Sequence, residues 1–359
     1  MKPISSLPLK VRQSGFSLVE LMVAITIGLL LLAGLAGVFT TTSASRNEVD
    51  RTNRRIENGR YAVQLLMEDL RLAGYLGELD PSSLATPASK PDPCATATAD
   101  LKAAMPLHIQ GYDDGASAPA CLQDLKAGTD IVVVRRSSTC VAGVGDCEAV
   151  TAGAPYFQAS LCYPTSGATE LASGNINQYF ALDANTAALT MHKKDCTTLA
   201  SLRRYRTHIY FIANNNEGSD GIPTLKRAEL GGTGGNTAFT IVPLVEGIEN
   251  LQLEYGIDTD AKGSANAGSP NAYTTDPDTY DTCVGQACLE HWRNVVAVKL
   301  HLLARNTDRS VGYTDTKTYT LGLDADNAAK TVGPFNDGYK RHVYQSSIRL
   351  SNPAGRKEP

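Results

Sequence analysis

The sequence predicts an α+β chain: a long N-terminal α-helix packed on an antiparallel β-sheet head, with a loop-rich, disulfide-bearing insertion. Three observations predict it. Residues 16–80 contain no proline and open with an apolar run of membrane length. Beyond residue 130, segments rich in β-branched and aromatic residues are separated by Gly and Asn turn signals. Six of the eight cysteines fall between residues 94 and 196, and none belongs to a C-x-x-C pair. A composition of 42% hydrophobic and 19% charged residues suits a folded chain with a sizeable core.

The N-terminal fifteen residues hold Lys2, Lys10 and Arg12 and no acid. Residues 21–39 carry no charge, and with 16–19 ahead of them the run exceeds the roughly 20 residues that cross a bilayer. Basic residues lie only before it, so the leader is expected in the cytoplasm and the rest outside. An ordinary signal peptide is cut after its apolar run, at small residues. Here the distinctive residues, Gly15-Phe16-Ser17-Leu18-Val19-Glu20, lie before it. Glu20 would cost about 2–4 kcal/mol if ionised in hydrocarbon without a partner. Its place in the first helical turn, among free backbone N–H groups, offsets part of that cost.

Past Phe39 the pattern becomes amphipathic. Val49, Ile56, Val63, Leu66 and Leu70 recur near helical spacing among many Arg and Glu residues. The helix is expected to stop near Ala73-Gly74, where glycine supplies a C-terminal signal. One helix over 16–72 would be about 85 Å long. Two helices hinged near Gly34, Gly37 or residues 40–43 are the alternative. The expected organisation is therefore a leader (1–15), a membrane helix (16–39), an amphipathic helix (40–75) and a β-rich head (76–359) with an insertion at about 81–200.

Strands are expected at 130–136, 156–163, 207–213, 223–230, 239–245, 251–257, 295–304, 316–323 and 341–350. Val296, Val298, Leu300 and Leu302 alternate with Lys299 and His301, the pattern of a half-buried antiparallel strand. An exported chain meets an oxidising compartment, so the cysteines read as disulfides. Eight cysteines allow 105 connectivities. Pairing of sequence neighbours would join Cys94 to Cys121, Cys140 to Cys147, Cys162 to Cys196 and Cys283 to Cys288; short loops close at least entropic cost.

Other constellations are weaker. Cys283, Cys288 and His291 supply three ligands in a loose zinc-like spacing, but oxidation would consume two of them. Asp258 and Asp260 begin like a calcium loop, yet Lys262 takes a ligand position and Ser269 stands where a bidentate glutamate is needed. Asp276, Asp278 and Asp281 form a second acidic group. No metal and no cofactor is expected. Arg203, Arg204, Tyr205, Arg206 and His208 form a basic, aromatic stretch that could meet phosphates, but a solvated strand face or a protein contact is favoured. No catalytic signature is present, so an enzyme is not expected. Without the three leader cations the chain would carry about −7, which does not favour a nucleic acid partner.

Gly15 to Glu20 resembles the prepilin cleavage motif of type IV pilins. Glu57-Asn58-Gly59-Arg60-Tyr61-Ala62, Asp69-Leu70-Arg71-Leu72-Ala73-Gly74-Tyr75 and the segment from Val245 to Gly256 resemble the PilW family of type IV minor pilins. Residues 293–305 and 344–352 fit less distinctively, and 81–200 hardly at all. The resemblance implies cleavage between Gly15 and Phe16 by a prepilin peptidase, N-methylation of Phe16, and Glu20 as the assembly carboxylate. The new amine on Phe16 could then pair with Glu20 of this chain or of a neighbour. It also implies a type IV pilin-like fold, a single-pass inner-membrane precursor with a periplasmic head, and later residence near the pilus tip. The implied partners are other minor pilins, the major pilin, a tip adhesin and the inner-membrane assembly platform. Twitching and adhesion are the processes such a pilus serves. A helix-kinking proline near Gly37, usual in major pilins, is missing, and a chain this large is awkward as a repeating subunit. Both points favour a minor pilin. The competing readings are a minor pseudopilin of type II secretion and a membrane-anchored exported adhesin.

Overall fold

The computed structural model describes residues 15–115, 118–165 and 169–359; most of the basic leader lies outside them. Its contacts divide the chain into two units, residues 1–52 and 53–359. Helix α1, Leu18–Arg71, contributes to both. In the first unit residues 16–39 are exposed, Gly28 alone being half-buried. The helix carries through Gly34 and Gly37. Three hydroxyls of this unit are satisfied within the helix: Thr26 Oγ1 donates to the Met22 carbonyl at 2.6 Å, and Thr40 and Thr41 each donate to the Gly37 carbonyl at 2.9 Å. Such back-bonding suits a helix in lipid, where no water can take up a free donor.

The second unit begins with the amphipathic end of α1. Gly59, Ala62, Leu66, Asp69 and Leu70 are its buried positions, spaced to fall on one face. Gly74, at φ 72°, ends the helix where its missing Cβ removes the left-handed penalty. A short α2, Thr98–Ala104, precedes β1, Ile109–Tyr112, and β2, Ile131–Ser137. Then come β3 (Tyr156–Ala159), β4 (Phe180–Asp183), β5 (Arg203–Ala213), β6 (Thr224–Thr233) and β7 (Asn236–Glu246). They form one antiparallel sheet in the order β1-β2-β5-β3-β4, with β6 also pairing with β5 and β7 pairing with β6. Gly247, at φ 75°, turns the chain into β8, Ile248–Ile257. β9 (Ala272–Thr274), α3 (Gln286–Arg293) and β10 (Val295–Arg305) follow. The hairpin β11–β12 (Tyr319–Leu323, Ala329–Val332), β13 (Arg341–Arg349) and α4 (Ser351–Lys357) close the chain. The second sheet runs β13-β10-β8-β9.

The two sheets and α1 share one core. Ala62, Leu66 and Leu70 of α1 join Val132, Val134, Tyr210 and Ile212 of the first sheet and Leu251, Leu253, Val298, Leu300 and Ile348 of the second. A smaller cluster around Leu76, Leu101, Met105, Phe157 and Tyr205 fills the region between α2, β3 and β4. Thus the loop-rich stretch after α1 has a core of its own, besides three of the disulfides. All eight cysteines are bonded: Cys94–Cys121, Cys140–Cys147, Cys162–Cys196 and Cys283–Cys288.

One expectation is corrected. The alternation in β10 reads as half-buried, but both faces are covered. Leu303 is as buried as Leu302, and His301 is 8% exposed. The cover is the β11–β12 hairpin: a Cβ on Gly322 would lie 2.7 Å from Glu254 Oε1 and 2.8 Å from the His301 ring. The polar residues on this face survive burial because they pair. Glu254 accepts from Lys299 at 2.9 Å and lies 3.2 Å from His301 Nε2. Its carboxyl is held down at about 2, chiefly by the His301 hydrogen bond, against the burial that would raise it. Arg341, fully buried, anchors the covering segment through Asp315 at 2.9 Å, Asp337 at 2.7 Å and Glu249.

Candidate processing and assembly site

The first unit presents Gly15 and Phe16 just ahead of α1, with Phe16 90% exposed. Nothing lies within 4 Å of where a Gly15 Cβ would stand. Ser17 and Glu20 close the helix start reciprocally. Val19 N donates to Ser17 Oγ at 3.3 Å, and Ser17 N donates to Glu20 Oε2 at 2.9 Å. This is a variant of the S-x-x-E capping box, the serine taking the second rather than the third helical N–H, and two orphan N–H groups are satisfied. It was legible in the Ser17-Leu18-Val19-Glu20 spacing and missing from the sequence reading. It folds the Glu20 carboxylate back over the helix start, onto the N–H of the residue that follows Phe16. The leader cations Lys2, Lys10 and Arg12 lie outside the described residues.

The second unit explains the segments around Gly59 and Asp69. A Cβ on Gly59 would fall 2.1 Å from Tyr344 Cε2, so glycine is what lets the β13 tyrosine lie against α1. Tyr344 also donates to the Arg55 carbonyl at 3.4 Å, and Asn58 Nδ2 to the Glu246 carbonyl at 3.1 Å. Asp69 is a charge on the buried stripe. Its Oδ1 accepts from Arg136 Nε at 2.6 Å, while Oδ2 meets His208 Nδ1 at 2.6 Å and accepts from Tyr210 at 2.8 Å. Burial would raise its pKa, but His208, Arg136 and Tyr210 together hold it far below the carboxylate range. Burial pulls His208 down, with Asp69 opposing. Next to the helix end, Asn352 donates to the Ala73 carbonyl at 3.2 Å and Arg356 to that of Gly74 at 3.1 Å. The arrangement is a clamp: β2, β5, β7, β13 and α4 each hold the last turns of α1.

The remaining sequence candidates take structural places. The basic stretch is not an open cationic face. Arg204 and Arg206 share Glu148 at 2.9 and 2.7 Å, Arg203 donates to the Thr139 carbonyl at 2.6 Å, Tyr205 is fully buried, and His208 belongs to Asp69. Asp258 is buried and accepts from Asp260 N at 2.8 Å and Gly268 N at 2.7 Å, with Lys357 Nζ 3.3 Å away. Asp260 accepts from Asn271 at 3.2 Å. Cys283 and Cys288 are spent on each other, and His291 stands edge-on to Tyr280. Asp278 pairs with Lys90 and accepts from Trp292 Nε1 at 2.8 Å. One acidic group was not foreseen. Asp113, Asp114 and Asp130 each place an oxygen within 4.8 Å of the others, and Lys330 lies against the first two. The tandem acids were visible in sequence; the distant Asp130 and Lys330 were not.

Comparison with known families gives two matches. Residues 209–352, from within β5 to the start of α4, match the family described as Type IV Pilus-assembly protein W. Residues 10–36 match the Prokaryotic N-terminal methylation motif. No curated protein and no solved structure matches the chain.

Proposed function

We propose that this protein, which matches the Type IV Pilus-assembly protein W family over residues 209–352 and the prokaryotic N-terminal methylation motif over residues 10–36, is a pilin-like component of type IV pilus assembly and acts as a minor pilin that primes filament growth and stays near the tip. These families are structural pilus components, not enzymes. In this proposal a prepilin peptidase cuts between Gly15 and Phe16, Phe16 is N-methylated, and Glu20 pairs with an α-amine during assembly. The observation that carries it is the position of Glu20: a carboxylate in the first turn of an apolar, membrane-length helix, folded back onto the Ser17 N–H, the residue after Phe16. The size of the head supports an end position over a repeating one. Before assembly the chain is a single-pass protein of the inner membrane with its head in the periplasm. Its partners there are other minor pilins and the assembly platform; later they are the major pilin and a tip adhesin.

The test is Glu20→Ala in a deletion strain. The variant should be cleaved normally yet fail to restore pili; normal piliation sinks the assembly role. Mass spectrometry of sheared pili should find a chain that starts at N-methylated Phe16. A chain starting at Met1 or Lys2 would overturn the processing claim. Rescue of secretion without rescue of twitching would assign the chain to type II secretion instead.

A further inference from the structure

A cavity of about 300 Å³ opens between the turn after α1, α3 and α4. Its wall carries four cations, Lys262, Arg293, Arg356 and Lys357, against one carboxylate, Glu290, with His108 also lining it. Internal partners use these cations unequally. Lys357 is taken up by Asp258 at 3.3 Å, and Arg293 by Thr86 Oγ1 at 2.5 Å, the Ser82 carbonyl at 2.9 Å and, more distantly, Glu290 at 3.7 Å. The Lys262 side chain is 62% exposed and among the described residues pairs only with Asp80, at 3.8 Å. Arg356 makes one hydrogen bond among the described residues, to the Gly74 carbonyl, and stands 3.7 Å from the same Asp80. Five guanidinium donors thus have one accepting carbonyl and a shared, distant carboxylate. Burial pulls Arg356 below the usual guanidinium value with Asp80 alone opposing. His108 is pushed to about 3 by burial and by Arg356, Arg293 and Arg135, a sign that the region is electropositive.

Two planar guanidiniums and an exposed ammonium around one cavity are the donors that an oxyanion fits, since carboxylate and phosphate accept two parallel N–H bonds. We propose that this cavity is a binding site for an oxyanion, a carboxylate or phosphate group, held by Arg356 and Arg293 with Lys262 closing over it. The proposal does not depend on the assembly role of Glu20.

The experiment is calorimetric titration of the full chain in detergent micelles at fixed ionic strength. The probes are inorganic phosphate, a short acetylated peptide with a free C-terminal carboxylate, and the same peptide as its amide. Saturable binding of phosphate or of the carboxylate peptide is expected, with the amide silent. Phosphate alone would assign the site to a free ion, and the carboxylate peptide alone to a chain end; both uphold the oxyanion site. Lys262→Gln and Arg356→Gln should each weaken binding at least tenfold. Glu290→Gln, which removes the competing carboxylate, should strengthen it. Lys262 is exposed, so its variant remains informative if Arg356→Gln fails to fold. Arg204→Gln, paired elsewhere, should bind as the parent chain does. Absence of saturable binding by phosphate and peptide alike, or unchanged affinity in Lys262→Gln, overturns the proposal.

Discussion

Asp69→Asn isolates the clamp on α1. The substitution keeps the side chain's shape and removes its charge. Arg136, whose side chain is 13% exposed, then loses its counter-charge, and His208 and Tyr210 share a weaker acceptor. Breaking a buried pair by neutralising one partner costs about 3–5 kcal/mol, because the other charge stays buried and uncompensated. For a unit of about 300 residues the unfolding entropy near 60 °C is about 0.6 kcal/mol/K, so the midpoint should fall by about 5–8 °C. The assay is thermal unfolding at pH 7 by circular dichroism, repeated with Arg136→Met and with the double variant. The double variant should be less destabilised than the sum of the two singles, since no charge is then stranded. A loss below about 1 kcal/mol for Asp69→Asn, or strict additivity, would refute the argument that this pair holds the helix end.

Other predictions follow from the same structure. His108 has a folded pKa of about 3, below the unfolded 6.5, so the unfolded chain binds the extra proton between those values. Its contribution to stability is intact above about pH 6.5 and falls by about 1.4 kcal/mol per pH unit below it, or about 2 kcal/mol at pH 5. Denaturant titrations should show that limb flattened in His108→Gln; an unchanged slope would refute it. Gly59→Ala should destabilise the chain by about 1–2 kcal/mol even though alanine is the better helix former, because its Cβ would enter the Tyr344 ring. Adding Tyr344→Leu should recover most of the loss, and a stabilised single variant would contradict the packing. Removing Cys94–Cys121, separated by 27 residues, should cost about 3.5 kcal/mol, against about 2 for Cys283–Cys288, separated by 5. Equal losses would speak against a loop-entropy origin.

Much of the head was readable because its strands are long. β5, β6, β7, β8, β10 and β13 each run nine residues or more, enough for periodicity to register. β1, β4, β9 and β12 are three or four residues long and were not foreseen. Such segments are set by the neighbours they pair with, and alternation over four residues is no signal. Burial of β10 failed for a related reason. His301 looks solvent-facing until the hairpin that covers it is placed, and nothing local announces that cover. Asp69 left a mark, a charge between Leu66 and Leu70 on an apolar stripe. Its partners lie 67, 139 and 141 positions away, beyond any pattern in one sequence. The start of α1 was legible to within two residues, expected at Phe16 and found at Leu18, since charge and the apolar run are local.

The clamp also has a mechanical consequence. The last turns of α1 are tied to β7 through Asn58, to β13 through Gly59 and Tyr344, and to β2 and β5 through Asp69. These strands come from both sheets, so tension entering by the helix is carried by several ties in parallel, not one after another. Ties loaded in parallel fail together and at higher force than the same ties in series. A pilus component pulled through its helix should therefore release its head in a single step, and single-molecule extension from the two chain ends would reveal a ladder of smaller steps if the ties were sequential.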